Sequence, residues 1–313
     1  MNQWGQKREG KALPRAPFAP RTRVLAHFYA PSILQSVRKY TYLNYNIIMG
    51  TKFKKFISST VDFHEFKNAV EIASGLGYGI EISRFGKLRE LDSHFDATLG
   101  EYKAVLADFE GEIALHGFFS NLSVASKDPL IREVSRRRYA QSFELACELG
   151  AKTVIFHTCL NNLLKHKEYQ TSFFVSNIEF YKEFIGQFER EGIVATIENV
   201  HEPTPDWIRT LISAVNSPNL KAMLDVGHTN LHSPLSPSDW VRDWGIMLHH
   251  MHIHNNFGDE DAHTSLTNGS TDYLALFKTI NEMQLRPSIT FEIFNKDALL
   301  ESVRYFDEVM ENA

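Results

Sequence analysis

The feature that most constrains this chain is a rhythm. From Phe56 onward, short apolar runs alternate with longer amphipathic stretches. The runs read as strands are FISSTV (56–61), YGIEI (78–82), EIALH (112–116), TVIFH (153–157), IVATIE (193–198), KAMLD (221–225), HMHIH (250–254) and SITFEI (288–293). Between most of them lie helix patterns such as IREVSRRRYAQSFELACELG and TSFFVSNIEFYKEFIGQFEREG, with Gly150 and Gly192 where a helix C-cap is wanted. Pro205 sits where a first helical turn tolerates it. The stretches after strands two and six have no clear helical period. Strand–helix alternation implies parallel strands joined by right-handed crossovers. Eight such units fit a closed (β/α)8 barrel better than an open doubly wound sheet. No glycine-rich phosphate loop of the dinucleotide or P-loop type follows the first strand, which also counts against the open sheet.

The first 48 residues differ in kind. They carry Pro14, Pro17, Pro20 and Pro31 and show no sustained periodicity. Eight Lys/Arg face a single acid, Glu9, a net of +7, so residues 49–313 carry −12 of the whole chain's −5. The expected organisation is a poorly structured basic extension over 1–48 and one α/β barrel over 49–313. An Arg-rich, acid-poor start also resembles an organellar transit peptide. The acidic body gives no global attraction to nucleic acid. No apolar run is long enough to span a bilayer, and Cys147 and Cys159 make no disulfide framework. A cytoplasmic location is the expectation, with a homo-oligomer allowed.

In such a barrel, chemistry sits at the C-terminal ends of the strands. Strand three ends at His116, strand four at His157 and strand five at Glu198. Strand six ends at Asp225, with His228 three residues on. Strand seven carries His252 and His254 on one face, the next loop adds Asp261 and His263, and strand eight presents Glu292. One His at a strand end is usually an ordinary satisfied polar group. Six consecutive strands ending this way are hard to attribute to chance. Carboxylates crowded at one rim repel unless a positive charge lies between them. Mixed imidazole and carboxylate donors suit Zn2+ or Mn2+, and also Co2+ or Fe2+.

The stretch ALHGFFSNLSVASKDPLIREVSRRRYAQSFELACELGAKTVIFH, with TIENV, MLDVGH and MHIHNN, resembles the xylose-isomerase-like TIM-barrel superfamily. The resemblance runs from about Phe53 to Met310. That superfamily holds sugar phosphate isomerase/epimerase-like proteins and the zinc-dependent AP endonucleases of family 2, the endonuclease IV type. In the epimerase branch the resemblance implies one metal on Glu198, Asp225, His252 and Glu292, with Glu198 and Glu292 as catalytic proton-transfer groups. It also implies substrate contacts from His228, His254 and Glu81. In the endonuclease branch it implies three zinc ions: the first on His116, His157 and Glu198, the second on Glu198, Asp225, His252 and Glu292, and the third on His228, Asp261 and His263. The family's Leu-Gly-Glu-Gly loop reads Leu266-Thr267-Asn268-Gly269 here, and Asn255 stands where many relatives carry Asp.

The favoured expectation is therefore a metal-dependent isomerase or epimerase acting on a small sugar-like substrate. Phosphodiester cleavage at abasic DNA is the alternative, and nucleic acid is a partner only under it. Phosphate contacts need cations at the mouth. The candidates there are Arg84, Lys87, Arg89, Lys127, Lys165 and Lys167, with no dense cluster. Trp207, Trp240 and Trp244 are expected to pack outer helices. The Arg run at 136–138 reads as a solvated helix face, and His249 and His250 as lying before or outside the mouth.

Overall fold

A computed structural model describes residues 53–59, 66–83, 85, 92–161 and 166–312. The chain divides into Met1–Ile48 and Met49–Ala313. The proposed extension over 1–48 lies outside the described residues, as do Arg84, Lys87, Arg89 and Lys165.

Eight parallel strands close on themselves in sequence order. They are β1 (Lys55–Ser58), β2 (Gly79–Ile82), β3 (Ile113–His116), β4 (Thr153–His157), β5 (Val194–Glu198), β6 (Leu220–Asp225), β7 (Leu248–Ile253) and β8 (Ser288–Phe291). The ring shuts where Phe56 of β1 pairs with Thr290 of β8. Around it run α1 (Phe66–Leu76), α2 (Phe95–Leu106), α3 (Pro129–Leu149), α4 (Lys167–Glu191), α5 (Asp206–Val215), α6 (Val226–His232), α7 (Pro237–Trp244), α8 (Tyr273–Glu282) and α9 (Lys296–Asn312). This is the (β/α)8 architecture that the alternation implied.

Local chemistry explains the helix ends. Asp128 caps α3 by accepting the Leu130 N–H at 2.9 Å, and Pro129 takes the first turn, where no N–H is needed. Gly150 and Gly192 end α3 and α4 in the left-handed conformation, at φ 70° and 65°. Ser236 and Asp239 form a reciprocal capping box on α7.

Several boundaries differ from the sequence reading. β1 ends at Ser58 rather than 61, β7 starts at Leu248 and stops at Ile253, and β8 stops at Phe291. His254 and Glu292 therefore stand one residue beyond their strands. The two unclear stretches hold α2, and α6 followed by α7. Pro205 is the residue before α5 rather than part of its first turn. The pairing of β6 with β7 skips His249, a bulge that lets His249 reach toward Thr153 while His250 rejoins the ladder opposite Met223.

The barrel interior holds Phe56, Ala114, Ile155 and Met223, all buried and in one cluster. Outside, Tyr139, Phe180, Tyr181, Phe184 and Phe188 of α3 and α4 pack on one another and on Phe156 of β4. Trp240 and Trp244 are buried edge to face, their indole N–H groups donating to Ser233 Oγ and the Pro205 carbonyl. Trp207 packs on Phe173 and Phe174 of α4. Arg136 pairs with Glu183, and Arg137 and Arg138 with Asp92, as a salt-bridged helix face. No helix among the described residues is long and apolar enough to cross a membrane.

Candidate metal centre

The strand register explains why distant residues meet. His157 pairs with Glu198 across β4 and β5, and Asp225 with His252 across β6 and β7. Parallel strands that end at one level deliver their last side chains to one rim.

The densest point is His252, which is fully buried. Its Nδ1 makes no hydrogen bond, yet Glu292 Oε2, Asp225 Oδ2 and Glu198 Oε1 stand 2.9, 3.5 and 3.8 Å from it. Three carboxylates converging on an unpartnered imidazole nitrogen in a buried pocket call for a cation. Ligand atoms about 2.0–2.2 Å from a common ion lie roughly 3.4 Å from one another, close to these spacings. The donor set fits a divalent metal.

On the β3–β4 side, His116 Nε2 and His157 Nε2 lie 3.2 and 3.1 Å from Glu198 Oε2 and 3.2 Å from each other. The His116 Nδ1–H donates to the Gly117 carbonyl, which leaves Nε2 free toward Glu198. On the β6–β8 side, Asp261 Oδ2 lies 3.1 Å from His263 Nε2 and 3.5 Å from His228 Nε2. His263 is held at φ 47°, its Nδ1–H donating to the Glu292 carbonyl. The compact group on this side is His254, Asp261 and His263, one candidate ligand atom from each lying within 4.8 Å of the others.

His254 and Glu81, which the resemblance implied as substrate contacts, are both fully buried. His254 is fully buried, stacks on His263 at 3.8 Å, and places Nε2 3.2 Å from Asp225 Oδ1. A Cβ on Gly227 would meet the His254 ring at 2.0 Å, so that glycine makes the room. Tyr273 OH donates to the His254 carbonyl. Glu81 is also fully buried and accepts from His252 Nε2–H at 2.9 Å and from Thr290 Oγ1 at 2.6 Å. His228 keeps some exposure, with its Nδ1–H donating to the Asn199 carbonyl and Nδ1 3.3 Å from Glu198 Oε1.

Three residues here were given no role by the sequence reading, which put His250 before or outside the mouth. His250 is inside the barrel, one layer below His252, with Nε2 2.8 Å from Thr290 Oγ1. The period-two alternation back from His252 carried that signal. Thr290 and Asn199 carried none. Asn199 brackets Asp225 by donating to its carbonyl and accepting its N–H.

Charge balance is tight. Burial alone would raise the Glu198 carboxyl, but His157, His116 and His228 outweigh it and hold the group well below the usual carboxylate range. Burial likewise opposes charge on His252, yet Glu81, Glu292 and Asp225 push it well above an ordinary histidine. At His263 the same competition ends at about 9, with Asp261 and Glu292 prevailing over burial. With no ion at the rim the carboxylates hold protons on these imidazoles, and a divalent ion taking their place would displace the His252 Nδ1 proton.

Among similar proteins, the uncharacterized protein MJ1311 of Methanocaldococcus jannaschii is 25% identical over 212 residues, 65% of this chain and 71% of that one. A D-tagatose 3-epimerase-like protein has the same fold at a TM-score of 0.68 and 23% identity, covering 82% of this chain and 97% of that one. The TTHB071 protein from Thermus thermophilus, soaked with zinc chloride, also gives 0.68, at 20% identity over 83% of this chain and 99% of that one. Such likenesses speak for the barrel. Residues 70–309 match the xylose isomerase-like TIM barrel family as a whole, and the chain belongs to that family.

Proposed function

We propose that the protein is a divalent-metal-dependent isomerase or epimerase of sugars or sugar phosphates, with Glu198 and Glu292 moving the protons. The observation that carries this reading is the convergence of Glu198, Asp225 and Glu292 on the unpartnered Nδ1 of His252. These four residues would hold Zn2+ or Mn2+, or Co2+ or Fe2+. When bound, such an ion supplies Lewis acidity toward a carbonyl and its neighbouring hydroxyl. One of Glu198 and Glu292, as the carboxylate, takes the proton from the carbon beside the carbonyl. The other, carrying a proton drawn from water, returns it to the opposite face, after which each regains its starting state by exchange with water. The Glu292 side chain keeps 13% exposure against 2% for Glu198, so water reaches Glu292 more directly. His228 contacts a substrate oxygen. The D-tagatose 3-epimerase-like neighbour supports the substrate class by its name.

The test is isotopic. Candidate ketoses incubated in deuterated water with the metal-loaded protein should take up deuterium at the carbon beside the carbonyl. Glu198→Gln and Glu292→Gln should each lower that uptake at least about a hundredfold, the low end for general acid–base catalysis. No uptake across a broad panel of ketoses and their phosphates would end the reading.

The two further clusters favour a second reading, phosphodiester cleavage at abasic DNA. His116 and His157 beside Glu198, and Asp261 with His263 and His228 or His254, exceed what one ion needs. Metal content near one ion per chain with no nicking of an abasic duplex supports the isomerase. Two or three ions with metal-dependent nicking, lost in Glu198→Gln, supports the nuclease.

A further inference from the structure

Beneath the rim, the barrel buries a polar layer that the chemistry above does not use: Glu81, His250 and Thr290, each fully buried. Its hydrogen bonds run in one direction. Thr290 Oγ1 donates to Glu81 Oε2 at 2.6 Å, so the Thr290 oxygen is left to accept from His250 Nε2–H at 2.8 Å. Glu81 also accepts from His252 Nε2–H, with its two oxygens 2.9 and 3.0 Å away. Ser83 Oγ adds a longer contact to Glu81 Oε1 at 3.4 Å.

An imidazole whose Nε2 carries the proton leaves its lone pair on Nδ1. At His252 that is the nitrogen facing Glu198, Asp225 and Glu292. We infer that Glu81 is a positioning residue: it fixes the tautomer and ring plane of His252 so that Nδ1 is presented to a divalent ion, and Thr290 with His250 locks Glu81 in that pose. Glu81 reaches no substrate, because His252 stands between it and the rim. A carboxylate behind a ligating imidazole also raises the ligand's basicity. Glu81, His252 and Thr290 stand on β2, β7 and β8, so the ring is fixed at its far nitrogen as well as at its backbone.

The inference rests on the metal-centre reading and is tested apart from turnover. Zn2+ and Co2+ affinities of the full-length protein are measured by chelator competition, with the Co2+ absorption bands recorded alongside. Glu81→Gln should weaken both affinities about 10–100-fold and shift the Co2+ bands. Glu81→Asp should recover part of the loss, and Thr290→Val should weaken binding in the same direction by less. Melting of the metal-free variants separates positioning from folding. Should Glu81→Gln fail to fold, Thr290→Val decides. A merely structural role lowers the metal-free Tm and leaves the affinities of the folded variants at the wild-type value, and that result overturns the inference. A wild-type chain that takes up no divalent ion overturns the metal-centre reading, and this inference with it.

Discussion

His249 shows how one residue can carry a cost unrelated to the site. The bulge on β7 turns it inward, where burial, together with neighbouring His250, Lys221 and Lys54, pulls its imidazole down to about 4. Its folded value lies below its unfolded value of 6.5, so the unfolded chain binds more protons between those values. The neutral ring therefore contributes stability that is complete above pH 6.5 and is lost as pH falls toward 4. His249→Asn should flatten that part of the acid limb. Thermal melts of both proteins across roughly pH 4 to 7 check it, and parallel acid limbs would refute it.

At the scale of elements, the join between β6 and α6 is the tightest constraint. Asp225 ends the strand, caps the helix by accepting the His228 N–H, and faces His252 and His254. Only a glycine fits two residues on, because the His254 ring fills the space a Cβ would take. Gly227→Ala should cost roughly 1–3 kcal/mol, the usual range for overpacking. Displacement of His254 should also disturb Asp225. Urea unfolding of the metal-free protein measures the first effect, and Zn2+ affinity the second. A variant as stable as wild type would show that the ring has room elsewhere.

For the whole molecule, the concentration of carboxylates at one rim makes the fold's stability depend on what neutralises them. A ligand that binds only the folded state stabilises it in proportion to the logarithm of its saturation, by about 4 kcal/mol at a thousand times Kd. Chelation should therefore lower Tm, and re-addition of Zn2+ or Mn2+ should restore it, whereas Ca2+, which prefers more oxygen ligands, should restore less. An unchanged Tm on chelation and reloading would count against an ion in the folded state. Among the described residues, the clustered ligand candidates all lie between Glu81 and Glu292. A chain beginning at Met49 should keep the circular dichroism and the Zn2+ affinity of the full one.

Much of this was written locally. Period-two runs, strand–helix alternation and glycine caps at Gly150 and Gly192 are set by backbone preference and burial, so the barrel and its order were legible in the residues alone. The polar strand ends were legible too, because a barrel brings its C-terminal ends to one rim whatever the details. Facing and register were not. The bulge at His249, the glycine that admits His254 and the Thr290–Glu81–His252 chain depend on which side chains meet across the ring, and those partners lie up to 209 residues apart in sequence. Glu81 looks the same as any strand-two glutamate when read along the chain. Only closure of β1 onto β8 decides that it sits behind a histidine, because contact across a barrel is a property of shear and register and leaves no local trace.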